Sequence, residues 1–372
     1  MGYGYDDARA LVLRELDTQQ HLADNGKSQI LNIPCVLGPP GMGKTAMARD
    51  IAKHYDLPLL IISCGENSDP TDVAGIPVPV PTSSEGMRFI DWFQNKAAAL
   101  SINRPVFLFF DEIDKAPPQV QAGLLGIFGN RAFRLEAVHA GTLIMCAGNR
   151  VDDDTLAQEL SESLLTRVTV IEIKPDVLRF TAWGTETGEV HPVILGFLNY
   201  KPDALHGGGI KDKEYRMPTP RGYWEASQQM FLHPDANKRI AGAPNWKSIV
   251  SMKCGPATGN DFWAWYTILQ SIDTRRLLVD GDTSQKPADP KAQRQWFYAA
   301  VFALASELRK EVKPTYTGLE KTLAAMTPEL CLSLAVQLPL KSRMALAKVA
   351  PGAVAQMSKA LYENLGIQDG SP

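Results

Sequence analysis

The segment Gly38-Pro39-Pro40-Gly41-Met42-Gly43-Lys44-Thr45 has the spacing G-x-x-x-x-G-K-[ST] and falls directly between an apolar run and a helical stretch. Glycines let a backbone wrap closely around phosphate oxygens, so that several N–H groups and the positive end of the following helix face the anion. At that place Lys44 supplies a mobile positive charge for the terminal phosphates of a nucleotide, and Thr45 offers a hydroxyl to Mg²⁺. A second constellation, Val106-Phe107-Leu108-Phe109-Phe110-Asp111-Glu112, is an apolar strand ending in two adjacent acids. Such acids fall at the carboxyl edge of a sheet, where the ligands of open α/β folds bind. There Asp111 would hold Mg²⁺ through its water shell, and Glu112 would orient and polarise an attacking water. An acidic pair standing alone reads as a solvated turn; the phosphate loop earlier in the chain turns the reading towards chemistry.

These groups need a sheet to hold them. The first half of the chain alternates short apolar runs with helical stretches, the pattern of a parallel sheet covered on both faces. Five runs read as buried strands: Ile33 to Leu37, Leu59 to Ser63, Val106 to Phe110, Leu143 to Ala147 and Val168 to Ile173. Lys44 to His54 and Gln119 to Phe128 read as helices between them. Asp69 to Arg88, rich in Pro and Gly, reads as an insertion or ordered loop, and Arg131 to Val138 alternates polar and apolar residues like a hairpin. After Pro175 strand-like runs give way to helical spacing. Phe297, Val301, Leu304 and Leu308 stand at i, i+4, i+7 and i+11, one face of a helix, and core packing is the plain reading of that stripe. The expected architecture is an α/β nucleotide-binding domain with a five-stranded parallel sheet, followed by an all-α region.

Composition narrows the classes. At 372 residues, 45% hydrophobic and 21% charged, the chain has globular composition and length enough for two or three structural units. A net charge of −3 argues against a protein whose main task is coating nucleic acid or an anionic membrane. Cys35, Cys64, Cys146, Cys254 and Cys331 are scattered, odd in number and without a C-x-x-C pair, so they read as reduced thiols in a cytoplasmic protein. No export signal and no run of membrane-spanning length is expected, and therefore no membrane insertion.

The order of the motifs resembles that of the AAA+ ATPases: Walker A at 38–45, then Asp111-Glu112-Ile113-Asp114-Lys115-Ala116-Pro117-Pro118, then a strand ending in Gly148-Asn149. Within that family the chain is most similar to the MoxR-like group. The resemblance implies a P-loop core that binds ATP with Mg²⁺. It also implies that Asn149, otherwise a simple turn residue, is the first sensor and helps place the attacking water. Ser161-Glu162-Ser163-Leu164-Leu165-Thr166-Arg167 resembles the helix end that supplies an arginine finger to a neighbouring subunit's nucleotide. Met217-Pro218-Thr219-Pro220-Arg221-Gly222-Tyr223-Trp224 resembles the second sensor in a helical lid, with Arg221 reaching the γ phosphate of its own subunit. Asp69 to Pro77 resembles the helix 2 insert region of that clade, in which such inserts and the 131–138 hairpin line a central pore or face partners; an ordered surface loop is the equal alternative. The likeness covers residues 30 to 235, and beyond 240 it becomes a general one to the helical tails of AAA+ proteins that work beside von Willebrand factor type A domain partners.

The implied organisation is an N-terminal helix and linker (1–28), a nucleotide-binding domain (29–175), a helical lid carrying the second sensor (176–240) and a helical C-terminal extension (241–372). The implied function is Mg-dependent ATP hydrolysis by a homo-oligomeric ring, a hexamer in this family, that remodels, activates or assembles a protein client. The alternative from a different class is a motor acting on DNA or RNA, against which near-neutral charge weighs, although Lys211, Lys213, Arg216 and Arg221 form a modest basic segment. A scaffold that binds ATP without turnover is a third reading, opposed by the intact Glu112.

Overall fold

The computed structural model describes residues 2–26, 33–66, 69–80, 89–153, 157–207, 216–234 and 245–364. Helix α1 (Tyr5–Asp24) comes first, with Ala8, Val12 and Leu16 buried along one stripe. Strand β1 (Ile33–Leu37) leads through the glycine-rich loop into α2 (Lys44–His54), which is followed by β2 (Leu59–Ser63). The Pro-rich insertion holds a short helix α3 (Pro70–Ala74) and an antiparallel pair, β3 (Ile76–Val80) and β4 (Phe89–Phe93); its residues 81–88 lie outside the described ones. Helix α4 (Lys96–Asn103), β5 (Phe107–Asp111) and α5 (Pro118–Asn130) come next. The 131–138 segment is a hairpin, β6 (Ala132–Phe133) with β7 (Glu136–Ala137). Strand β8 (Leu143–Gly148), a short helix α6 (Glu162–Leu165) and β9 (Val168–Glu172) complete the α/β part.

The main sheet has the order β2-β5-β8-β1-β9 and all its pairs are parallel. Successive side chains of a strand point to opposite faces, and the two faces fill two separate cores. Leu108, Phe110, Ile144 and Cys146 enter one together with α5, while Phe107, Phe109, Met145 and Ala147 enter the other with α1 and α2. Burial on both sides is why these strands read as unbroken apolar runs. Strand β5 starts one residue later than its apolar run. Asp111 is therefore the last paired residue, opposite Ser63, rather than a loop residue after the strand.

The chain divides into two compact units, Met1–Phe180 with Leu205–Gly222, and Thr181–Ala204 with Tyr223–Pro372. The second is helical throughout its described residues. Helices α7 (Val177–Thr187), α8 (Pro192–Tyr200) and α9 (Pro220–Leu232) precede α10 (Trp246–Cys254) and α11 (Pro256–Gln270). A π-helical turn at Arg276–Asp280 leads to α12 (Pro290–Lys310), then α13 (Leu319–Ala324), α14 (Pro328–Gln337), α15 (Leu340–Val349) and α16 (Pro351–Asn364). Phe297, Val301, Leu304 and Leu308 of α12 are all buried and belong to one core with α14 and α16. Phe262 and Trp265 of α11 lie against Phe197 with ring centroids 5.6 and 6.1 Å away, so this aromatic cluster is core. All five cysteines are buried, and none is in a disulfide.

Candidate nucleotide site

The glycine-rich loop leaves the carboxyl end of β1 and closes on α2. Gly43 sits at the N-cap of α2 in the left-handed region, at φ 85°, a conformation that glycine adopts without a Cβ clash. No side chain caps that end, so the first-turn N–H groups face outward as an anion cradle. Gly38 is needed for another reason: a Cβ there would come within 2.5 Å of the Ile173 carbonyl oxygen. Met42 anchors the loop by burying its side chain in the core shared by α1 and α2.

Lys44 lies under the loop. Its ammonium donates to the carbonyls of Gly38 (2.6 Å) and Pro39 (2.9 Å), the latter followed by Pro40, and to Asn149 Oδ1 (2.9 Å). Burial pushes its pKa down to about 8, against the opposing pull of Asp114, Asp111 and Asp153. The next residue, Thr45, donates its hydroxyl to Asp111 Oδ2 at 2.7 Å. This hydroxyl and carboxylate are hard oxygen donors side by side at a helix N-terminus, the donor set that suits Mg²⁺ bound to a nucleotide's phosphates.

Glu112 adopts φ 55° and ψ 42°, left-handed for a residue with a side chain, at a cost of about 1 kcal/mol. Its N–H donates to Asp111 Oδ1 at 3.0 Å, and its carboxylate pairs with Lys115 at 3.1 Å. The turn at Ile113–Lys115 then folds back over the sheet edge, so that Asp114 is buried, with 1% of its surface exposed. Asn149, just past β8, is also buried and donates from Nδ2 to Asp114 Oδ2 at 3.3 Å. Because β8 lies between β5 and β1 in the sheet, the tips carrying Asp111, Asn149 and the glycine-rich loop are adjacent.

The structure brings one of the two arginines to the loop. The N–H of Arg221 donates to the Gly41 carbonyl at 3.2 Å, and the exposed side chain adds positive charge near Lys44. Thr219 holds this approach: its hydroxyl accepts from the Gly222 N–H at 3.0 Å, and its side chain fills the space where a Cβ on Gly41 would stand. Arg167 lies elsewhere. Its carbonyl accepts from the N–H of Ile33, at the opposite end of β1 from the loop, and four strand steps of about 3.3 Å put roughly 13 Å between those ends. Its guanidinium donates to the Ser163 carbonyl (2.6 Å) and touches no carboxylate among the described residues. Of the basic segment, Lys211 and Lys213 lie outside the described residues. Asp114 received no role from its position in the motif. The signal for it was its place three residues after Asp111, one 3-10 turn that returns it to the same strand edge.

Residues 34–175 match the model of the ATPase family associated with various cellular activities (AAA). Part of the chain resembles curated proteases: Lon protease homolog 2, peroxisomal, of Homo sapiens is 34% identical over 119 residues, and Lon protease of Bacillus thuringiensis 37% over 113. These alignments span 32% and 30% of this chain and 13% of each relative, so the similarity covers about an eighth of their length. Among solved structures, the Thermotoga maritima RuvB Holliday junction branch migration motor aligns over 84% of this chain and 86% of its own, at 15% identity and a TM-score of 0.39. Residues 34–175 thus match the AAA ATPase family over a five-stranded parallel sheet with a P-loop after its β1 strand. No described helix is long and apolar enough to cross a membrane.

Proposed function

We propose that this chain is a MoxR-like AAA+ ATPase that hydrolyses ATP at the interfaces of a homo-oligomeric ring, a hexamer, and uses the cycle to remodel or assemble a protein client. The observation that carries the reading is the division of the arginines between two edges of one sheet. Lys44, Thr45, Asp111, Glu112, Asn149 and Arg221 gather at the carboxyl edge, while Arg167 stands at the amino edge, where it can serve only a neighbour.

In this reading the N–H groups of residues 41–45 hold the phosphates, and Lys44 leaves its carbonyl partners for the β and γ oxygens. Thr45 and Asp111 hold Mg²⁺, which when bound screens the charge of the phosphates. Glu112 polarises the attacking water and Asn149 helps to place it. Arg221 contacts the γ phosphate within its own subunit, and Arg167 of a neighbouring subunit stabilises the charge that develops on the transferred group. Residues 29–175 are the nucleotide domain, preceded by an N-terminal helix and linker in 1–28. Residues 176–240 form the lid that follows the nucleotide, and 241–372 the extension.

Two hairpins support a protein client. Arg134, in the β6–β7 turn, places its guanidinium 4.1 Å from the centre of the Trp92 ring on β4, which ties the hairpins together. Around this contact Leu135, Phe93 and Ile76 are exposed by 92%, 75% and 59%, an apolar surface suited to unfolded or partly folded protein. A von Willebrand factor type A domain protein is the client class that the MoxR-like reading favours. Phosphate release from the purified chain, with Lys44→Ala as control, tests the activity: steady release lost in the variant supports it, and equal release from both refutes it.

A further inference from the structure

An asparagine amide is two-faced: its nitrogen only donates and its oxygen only accepts. Which face meets which partner decides what the residue can do, and the surroundings of Asn149 impose one answer. On one side stands Lys44, whose ammonium can only donate and which lies 2.9 Å from Oδ1. On the other stands the Asp114 carboxylate, an acceptor, 3.3 Å from Nδ2. Turning the amide over would set donor against donor and acceptor against acceptor in a site where all three side chains are at least nine-tenths buried.

Asp114 is built into this place. Its carbonyl accepts from the Gln158 N–H at 2.7 Å, and its carboxylate lies so close over Gly148 that a Cβ there would come within 2.6 Å of Oδ1. That Oδ1 has no hydrogen-bond partner of good geometry among the described residues, and the carboxylate faces Asn149 twice, through its Nδ2 and its backbone N–H. A buried carboxylate with one oxygen left unpartnered costs stability, and such a cost is characteristic of a functional position.

We propose that Asp114 is a positioning residue for ATP hydrolysis: by accepting from Asn149 Nδ2 it holds the amide in the orientation that turns Oδ1 towards Lys44 and the phosphate loop. The acidic turn after β5 and the tip of β8 thereby act as one unit. When Lys44 moves to the phosphates, Asp114 keeps the amide from swinging, so that Asn149 meets the attacking water with the same face in every turnover. This role rests on the ATPase reading above and names a residue beyond its machinery.

The test is a double-mutant cycle on the full-length chain, with Asp114→Asn, Asn149→Ala and the pair. The Asp114→Asn side chain keeps the shape but can present either a donor or an acceptor to the amide. Steady-state turnover, KM for ATP, binding of a fluorescent ATP analogue and the thermal midpoint are measured for each. The expected result is a kcat lowered about tenfold or more with nucleotide affinity held within about twofold, and a loss that shrinks to about twofold when Asn149 is already Ala. An equal loss in both backgrounds would make Asp114 merely structural and overturn the proposal, as would an unchanged kcat in Asp114→Asn. If Asp114→Asn lowers the thermal midpoint, Asp114→Glu, which retains the acceptor, is expected to recover part of the turnover, and its failure to do so counts against the role. Absence of turnover in the wild-type chain would remove the ATPase reading itself, whereas additive losses in an active enzyme would remove only this assignment.

Discussion

Lys44 in the described state donates to two carbonyls of its own loop and to Asn149, so phosphate oxygens must replace partners it already has. In the proposed mechanism nucleotide binding is therefore an exchange of hydrogen bonds, with the gain coming from charge. Glu112 is held ready in a left-handed turn, paired with Lys115 rather than with the sheet. In the proposed mechanism, replacing its carboxylate by an amide removes the base and leaves the phosphate cradle intact. Glu112→Gln is expected to bind ATP at near wild-type affinity while phosphate release falls by roughly 10² to 10⁴-fold. Equilibrium binding and phosphate release on the same preparation check this, and turnover within a few-fold of wild type would remove Glu112 from the mechanism. At this scale the phosphate loop and the acid pair were legible because each needs particular residue types at particular spacings. Asp114 was not, since an acid's role as a partner of Asn149 depends on a turn and on the neighbouring strand 35 residues away.

The buried strands could be read from their apolar runs to within a residue at their ends, because strands covered on both faces have no polar alternation to blur them. The order of those strands could not, since nothing local tells β8 to enter between β5 and β1. The strand β3 was hidden by its composition. Pro77 and Pro79 speak against a strand, yet at alternate positions their missing N–H groups fall on the same open edge of a two-stranded pair. Helix α8 carries the pH prediction. Its N-cap His191 accepts from the Val193 N–H through Nδ1 and packs against Phe231 and Trp246, and burial pushes its pKa down to about 4. The unfolded chain protonates this imidazole near pH 6.5 and the folded one does not, so the unfolded state binds more protons between those values. Stability is thus full above about pH 6.5 and falls as the pH drops towards 4, by about 3 kcal/mol for this group. His191→Asn keeps a capping acceptor without the titration, and its urea midpoint should change less between pH 7 and pH 4.5 than that of the wild type. Parallel curves for the two proteins would show that His191 does not carry this dependence.

For the whole molecule, the sheet separates the two ends of the chemistry. Its carboxyl edge holds Lys44, Thr45, Asp111 and Asn149, and its amino edge holds Arg167, a guanidinium with no carboxylate partner among the described residues. A side chain cannot cross a strand's length to its own site, so a catalytic Arg167 requires a second copy of the chain. Arg167→Ala is accordingly expected to bind ATP normally and to lose about 10³-fold in turnover. Lys44→Ala should lose turnover through its own damaged cradle while its Arg167 stays intact. The decisive measurement is phosphate release from the two variants mixed in equal amounts. Each alone should be nearly inactive, and the mixture should regain a substantial fraction of wild-type activity, because some intact sites then face an intact Arg167. A mixture as inactive as its components, or an Arg167→Ala protein that turns over at the wild-type rate, would contradict hydrolysis between subunits.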